Sequence, residues 1–197
     1  MGTPMPSNVE RFTYADLLTW PADERWELID GVAYKMAYDL SPTPSRHHQQ
    51  IVTALSAQFY NYLEGKPCEV FSAPFDVRLP KPAEDGMSAT TVVEPDVTVV
   101  CDPEKLDDRG CLGAPTLVVE VLSPDTATYD QREKFHTYER AGVPEYWIIS
   151  PFGQNLQVFT LDATGHYGPP TVYGKDEEVP VGVLPGLVIQ LGRVFAA

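Results

Sequence analysis

The chain is short of positive charge. Its 197 residues carry 14 Lys and Arg against 28 Asp and Glu, a formal net charge of −14 at pH 7. Phosphate binding rests on Lys and Arg, so the charge argues against non-specific attraction to nucleic acid and leaves other routes open. A local basic patch, or a cluster of carboxylates holding a cation, is not excluded. Cysteine is also scarce: Cys68, Cys101 and Cys111 are an odd number without CxxC spacing. That argues against a disulfide framework or zinc knuckle and for reduced thiols. No window approaches the roughly 18 apolar residues of a membrane span. The start, MGTPMPSNVERF, has no basic region followed by an apolar core, and Pro6 stands where a myristoylation motif wants Ser or Thr. A cytoplasmic protein without membrane association is expected. GxSxG, Walker, HExxH, dinucleotide-binding and RNA-binding signatures are missing too, which removes the commonest motif-bearing enzyme classes.

What is present is enough to fold. A composition of 43% hydrophobic and 21% charged residues can bury a substantial core. The length suits one domain spanning residues 1–197. Thr13 to Asp16 forms a capping box for a short helix. ERWELIDGVAYKMAY contains two strand-like runs around Asp30-Gly31, a hairpin signal because both turn positions need φ > 0. Ser45 caps a helix in which Ile51, Val52, Leu55, Phe59 and Leu63 share one face, closed by Gly65 and Pro67. Strands are expected over Cys68–Leu79 and Val92–Cys101, with polar loops at KPAEDGMSA and DPEKLDDRGCLGAP. A strand over Leu117–Leu122 follows. A helix capped by Asp130 and Glu133 runs to about Ala141, and EYWIIS is the next strand. A β-hairpin and a last strand occupy residues 152–197. This order indicates an α/β fold with a mixed sheet.

The chemistry-bearing candidates are charges inside these runs. In LVVEVL, Leu117, Val119 and Val121 share one strand face, and Val118, Glu120 and Leu122 the other. Both faces are apolar, so Glu120 is expected in a strand covered on both sides. It needs a hydrogen-bond partner, a cation or a metal there, or else it sits at a solvent-facing strand end. Asp96, in EPDVTVV, is a second lone acid before strand-forming residues, and by itself a turn or cap residue. Were the two strands neighbours, the carboxylates would repel unless a divalent cation lay between them. Magnesium, bound by one or two carboxylates while keeping waters for phosphate oxygens, fits that arrangement. Lys134 either forms an exposed ion pair one turn from Asp130 or delivers its ammonium to the acids. Glu27 is a third ligand or a solvent-facing hairpin residue. His48 faces inward, as a hydrogen-bonded core histidine or a site residue.

WELIDGVAY, His48 before Ile51, EPDVTVV, LVVEVLSPDT and DQREKFHTYERAGVPEYWIISP together resemble the Uma-two family. That family consists of endonucleases of the restriction-endonuclease-like, PD-(D/E)XK superfamily. The resemblance spans about Phe12 to Pro151, with the C-terminal β segment also similar. It implies a mixed sheet flanked by helices and magnesium- or manganese-dependent hydrolysis of phosphodiester bonds in DNA. By position, Asp96 and Glu120 are the motif's acids, and Glu27 is a further catalytic and metal-site acid. His48 and Gln49 are neighbours. The superfamily pattern places lysine at residue 122, where this chain has Leu122, and the resemblance points to Lys134 on the following helix instead. Alternatives are a catalytically inactive nuclease-fold interaction protein and a hydrolase of small phosphorylated molecules. A homodimer would help span duplex DNA, and Arg46, Arg78, Arg109, Arg132 and Arg140 could gather around one cleft.

Overall fold

The structure, a computed structural model, describes residues 10–36, 45–123 and 130–196. Its first helix, α1 (Tyr14–Leu17), carries the expected capping box between Thr13 and Asp16. Strands β1 (Trp26–Ile29) and β2 (Val32–Lys35) form the expected hairpin, with φ of +51° at Asp30 and +80° at Gly31. These two residue types tolerate that left-handed turn, whose twist matches the flanking strands. Helix α2 (Arg46–Leu63) starts at Ser45, whose hydroxyl accepts the His48 N–H, and buries Ile51, Val52, Leu55, Phe59 and Leu63.

The expected strand over Cys68–Leu79 is two strands in two different sheets. β3 (Glu69–Ser72) and β4 (Val77–Arg78) flank Pro74, and β5 (Val92–Val93) and β6 (Val97–Val100) flank Pro95 in the same way. Proline has no N–H to give to a ladder. β3 pairs antiparallel with β6, and β4 pairs antiparallel with β5. The four segments therefore make one two-stranded ribbon that changes sheet at its prolines, held at the crossing by Ala73 N–H donating to Asp96 O at 3.2 Å.

The loop expected over residues 102–115 also holds structure: a 3₁₀ turn (Pro103–Lys105) and a small hairpin, β7 (Leu106–Asp107) with β8 (Gly110–Leu112). β9 (Leu117–Val121) and β10 (Glu145–Ser150) run parallel. Between them lie a π-helical turn (Asp130–Lys134) and α3 (Phe135–Ala141), which ends at Gly142 with φ +82°. The expected Asp130 cap lies outside the described side chains, and α3 begins with no side-chain cap. The chain continues through β11 (Asn155–Thr160), β12 (Thr171–Gly174), β13 (Glu178–Pro180) and β14 (Val188–Gln190) to α4 (Leu191–Val194).

The fold is mixed α/β. One six-stranded sheet has the order β2-β1-β5-β4-β8-β7, the other β12-β11-β10-β9-β6-β3, and β13-β14 form a separate pair. Ile29, Val77 and Val93 of the first sheet meet Val100, Val118 and Ile148 of the second in a core that also takes Tyr138 of α3. The second sheet's other face, with Val97, Val99, Leu117, Val119 and Trp147, packs against α2 and the C-terminal segment. Each such fully buried side chain contributes about 1.5–3 kcal/mol. Among the described residues no helix is long and apolar enough to cross a membrane.

Two features correct the sequence reading or extend it. Cys68 and Cys101 are disulfide-bonded and Cys111 is a buried free thiol, so reduced thiols describe one cysteine of the three. The pairing follows from register: Glu69 opposes Val100, which brings residues 68 and 101 face to face. Glu145 is 1% exposed and accepts the Trp147 indole N–H at 2.7 Å and the Val183 N–H at 3.0 Å, clamping the C-terminal segment to β10. Glu145→Ala leaves both donors unpaired and is expected to cost about 2–3 kcal/mol in denaturant unfolding. Burial pushes the Glu145 carboxyl above its ordinary value, with its hydrogen bonds opposing the shift. The folded state therefore holds the proton more tightly. The difference between parent and variant is expected to be largest near about pH 4 and to shrink as pH rises through the raised value.

A buried acid, lysine and tyrosine cluster at the seam of the sheets

Asp96 lies where the ribbon crosses between sheets, immediately before Val97, which opposes Val119 of β9. That register sets Asp96 level with Glu120, as the sequence reading required of neighbouring strands. The Asp96 Oδ2 accepts the Val121 N–H at 2.7 Å, so the aspartate is bound to the backbone beside Glu120. His48 enters from the first turn of α2. Its Nε2 stands 3.2 Å from both Asp96 carboxylate oxygens, and its buried Nδ1 has no hydrogen-bond partner among the described residues. Gln49, one residue on, is exposed.

Glu120 is 3% exposed and Glu27, on β1 of the other sheet, is fully buried. The cation that compensates them is Lys134, itself 1% exposed. Its Nζ lies 2.9 Å from Glu27 Oε1 and 2.9 Å from Glu120 Oε1. The exposed-pair account of Lys134 and the solvent-facing account of Glu27 are both excluded by this burial. Glu27 Oε1 also accepts the Glu94 N–H at 2.8 Å, which ties the cluster to the crossing ribbon. Glu94 is in turn paired with Arg25, and burial raises its carboxyl above the ordinary value against the pull of that guanidinium.

Tyr138 was not among the sequence candidates. Its hydroxyl donates to Glu120 Oε1 at 2.6 Å, the same oxygen that Lys134 meets. The signal was available: four residues separate Lys134 from Tyr138, which places them on one helical face. Burial, and then the negative charge of Glu120, hold the Tyr138 phenol well above its ordinary value, so it remains a donor.

Glu27 and Glu120 thus meet the Lys134 ammonium, and Asp96 stands beside them on the neighbouring strand. Among the described residues no group of three or more His, Cys, Asp or Glu side chains is gathered to hold a metal. Asp96 and Glu120, level on neighbouring strands, could offer a cation the hard oxygens of one or two carboxylates, the kind magnesium takes when it keeps its waters. Three of the five arginines expected around one cleft have contacts of their own. Arg78 is buried against Asp107, Arg140 pairs with Asp30, Arg109 contacts Met87, and Arg46 opens α2.

The family model for Uma2, described as "Putative restriction endonuclease", matches residues 14–192. The "Uncharacterized protein slr1290" of Synechocystis sp. is 29% identical over 145 residues, 73% of this chain and 70% of that protein. A solved structure, a "putative nuclease belonging to DUF820 from Anabaena variabilis ATCC 29413", aligns with a TM-score of 0.70 over 94% of this chain and 98% of its own, at 19% identity. The last of these shows a shared fold.

Proposed function

The chain belongs to the Uma2 family, and from that membership we propose that it is a metal-dependent endonuclease acting on DNA. The observation that carries the reading is the meeting of Lys134 with Glu27 and Glu120, next to an Asp96 bound to the Val121 backbone. Asp96 and Glu120 would hold magnesium or manganese, which when bound would supply Lewis-acid chemistry for phosphodiester hydrolysis. Val121 N–H and His48 fix the Asp96 carboxylate, and Tyr138 and Lys134 fix Glu120. Glu27 acts through Lys134, whose ammonium it orients, rather than as a direct ligand. Lys134 holds positive charge beside Glu120, where it opposes the charge that develops on a phosphate during attack. Position 122 needs no lysine, because the turn before α3 brings Lys134 to Glu120.

The test is incubation of the purified chain with single- and double-stranded DNA, RNA and small phosphorylated compounds, with magnesium, manganese or a chelator. Cleavage of DNA is expected with either metal and not with the chelator. Calorimetric titration of manganese into the parent is expected to show binding that Glu120→Gln weakens by at least about tenfold. Absence of cleavage, together with manganese binding unaffected by Glu120→Gln, would overturn the reading. The net charge of −14 favours a second reading, a nuclease fold kept for protein interaction. Metal binding without turnover on any substrate is its outcome in the same experiment. Turnover of the small compounds alone marks the third, a phosphohydrolase.

A further inference from the structure

A cavity of about 490 Å³ opens beside α3, lined by Leu79, Pro80, Pro82, Thr137, Lys81 and Arg140 among others. It shares both walls with the acid cluster. α3 carries Tyr138 of the cluster and Thr137 and Arg140 of the cavity, and the β1 hairpin carries Glu27 and, three residues on, Asp30. The lining is mostly aliphatic, yet two cations stand in it. Lys81 Nζ lies 2.9 Å from Asp30 Oδ1, and Arg140 Nη2 lies 3.1 Å from Asp30 Oδ2. Their side chains are 47% and 54% exposed, and Asp30 is the carboxylate both reach. Glu84 is the other carboxylate near Lys81, and it is tied to the Lys81 N–H and to Thr90.

Asp30 thus does two jobs. Its left-handed φ of +51° makes the hairpin turn, and its side chain fills the place of an anion between a lysine and an arginine. The guanidinium presents five donors in a fork matched to phosphate, and the ammonium presents three, more than one carboxylate takes up. We infer that this cavity binds a single nucleotide unit, its phosphate on Lys81 and Arg140 and the faces of its sugar and base against the lining, with Asp30 as the competing internal anion. The choice of phosphate over other organic anions rests on the nuclease reading; the site itself rests on the cavity and its cations. The volume is that of a small-ligand pocket and far too small for a duplex. The unit is therefore either a free mononucleotide or the phosphorylated end of a strand.

The decisive property is that two substitutions act in opposite directions. Arg140→Gln removes the fork. Asp30→Asn removes the competing charge and keeps the turn, since Asn-Gly is a favoured pair at this geometry. The full chain, with chelator present, is titrated with thymidine 5′-monophosphate and with a short thymidine oligonucleotide, 5′-phosphorylated or not. Binding that depends on the phosphate is expected, weakened about tenfold by Arg140→Gln and tightened several-fold by Asp30→Asn. Binding of the mononucleotide identifies the free ligand as the source, and binding of only the phosphorylated oligonucleotide identifies the strand end. No binding of either, indifference to the phosphate, or both variants moving affinity the same way overturns the site. Manganese titration of Arg140→Gln is expected to match the parent. A failure here is thus separable from a failure of the metal centre, which would appear in the Glu120→Gln titration.

Discussion

Lys134→Met is expected to destabilise the protein by about 3–5 kcal/mol in denaturant unfolding, the range for removing one partner of a buried ion pair. Methionine has similar length and fills the same space, so lost packing is a minor part of the change. What remains is electrostatic: Glu27 at 0% and Glu120 at 3% exposure lose the ammonium that lies 2.9 Å from each. Tyr138 still donates to Glu120, and the Glu94 N–H still donates to Glu27, but neither brings positive charge. Adding Glu27→Gln to Lys134→Met removes one of the two orphaned charges and is expected to recover a large part of the loss. A Lys134→Met variant within about 1 kcal/mol of the parent, the scale of an exposed pair, would show that the cluster is solvated and that its burial has been misjudged.

Asp96→Asn is expected to behave in the opposite way, harming activity far more than stability. The Asp96 side chain is 19% exposed, and its backbone tie is one accepted hydrogen bond from Val121 N–H, which an asparagine carbonyl can keep. The fold is therefore expected to stay within about 1 kcal/mol of the parent. The lost formal charge, however, is one of the two that would hold a divalent ion. Several kcal/mol of transition-state stabilisation correspond to a loss of about 10³-fold in cleavage rate. Unfolding curves and single-turnover cleavage on the same preparation separate the two effects. Equal falls in stability and rate would make Asp96 a structural aspartate and remove it from the centre.

Much of this was legible before any coordinates. The Asp30-Gly31 turn is announced by residue types that tolerate positive φ, and α2 by its cap and apolar spacing. Glu120 stood out because an acid inside LVVEV requires compensation, and the structure supplies it. What was not legible depends on register. The Cys68–Cys101 bond follows from Glu69 opposing Val100, and nothing in the spacing of two cysteines announces which strands will pair. The splitting of the long strands at Pro74 and Pro95 was half visible, since a proline argues against a central strand but does not say that the chain enters a second sheet. Asp30 shows a further limit: its turn role accounted for the residue so fully that a second role for its carboxylate was not sought. Tyr138 was missed although helical spacing from Lys134 would have found it.

The ribbon that crosses at Pro74 and Pro95 belongs to both large sheets at once. Its lower half, β3 with β6, supplies one edge of the second sheet, and its upper half, β4 with β5, sits in the middle of the first. Neither sheet can be completed while the other is unmade, because each takes strands from the same two stretches of chain. Residues as distant as Leu28 and Val92 must meet before the first sheet closes. Such non-local closure makes for slow assembly, and the shared ribbon makes for a single event. Asp96 and the Glu94 N–H that anchors Glu27 lie on this ribbon, so the acid cluster comes into being at the step that joins the sheets and is lost when they part.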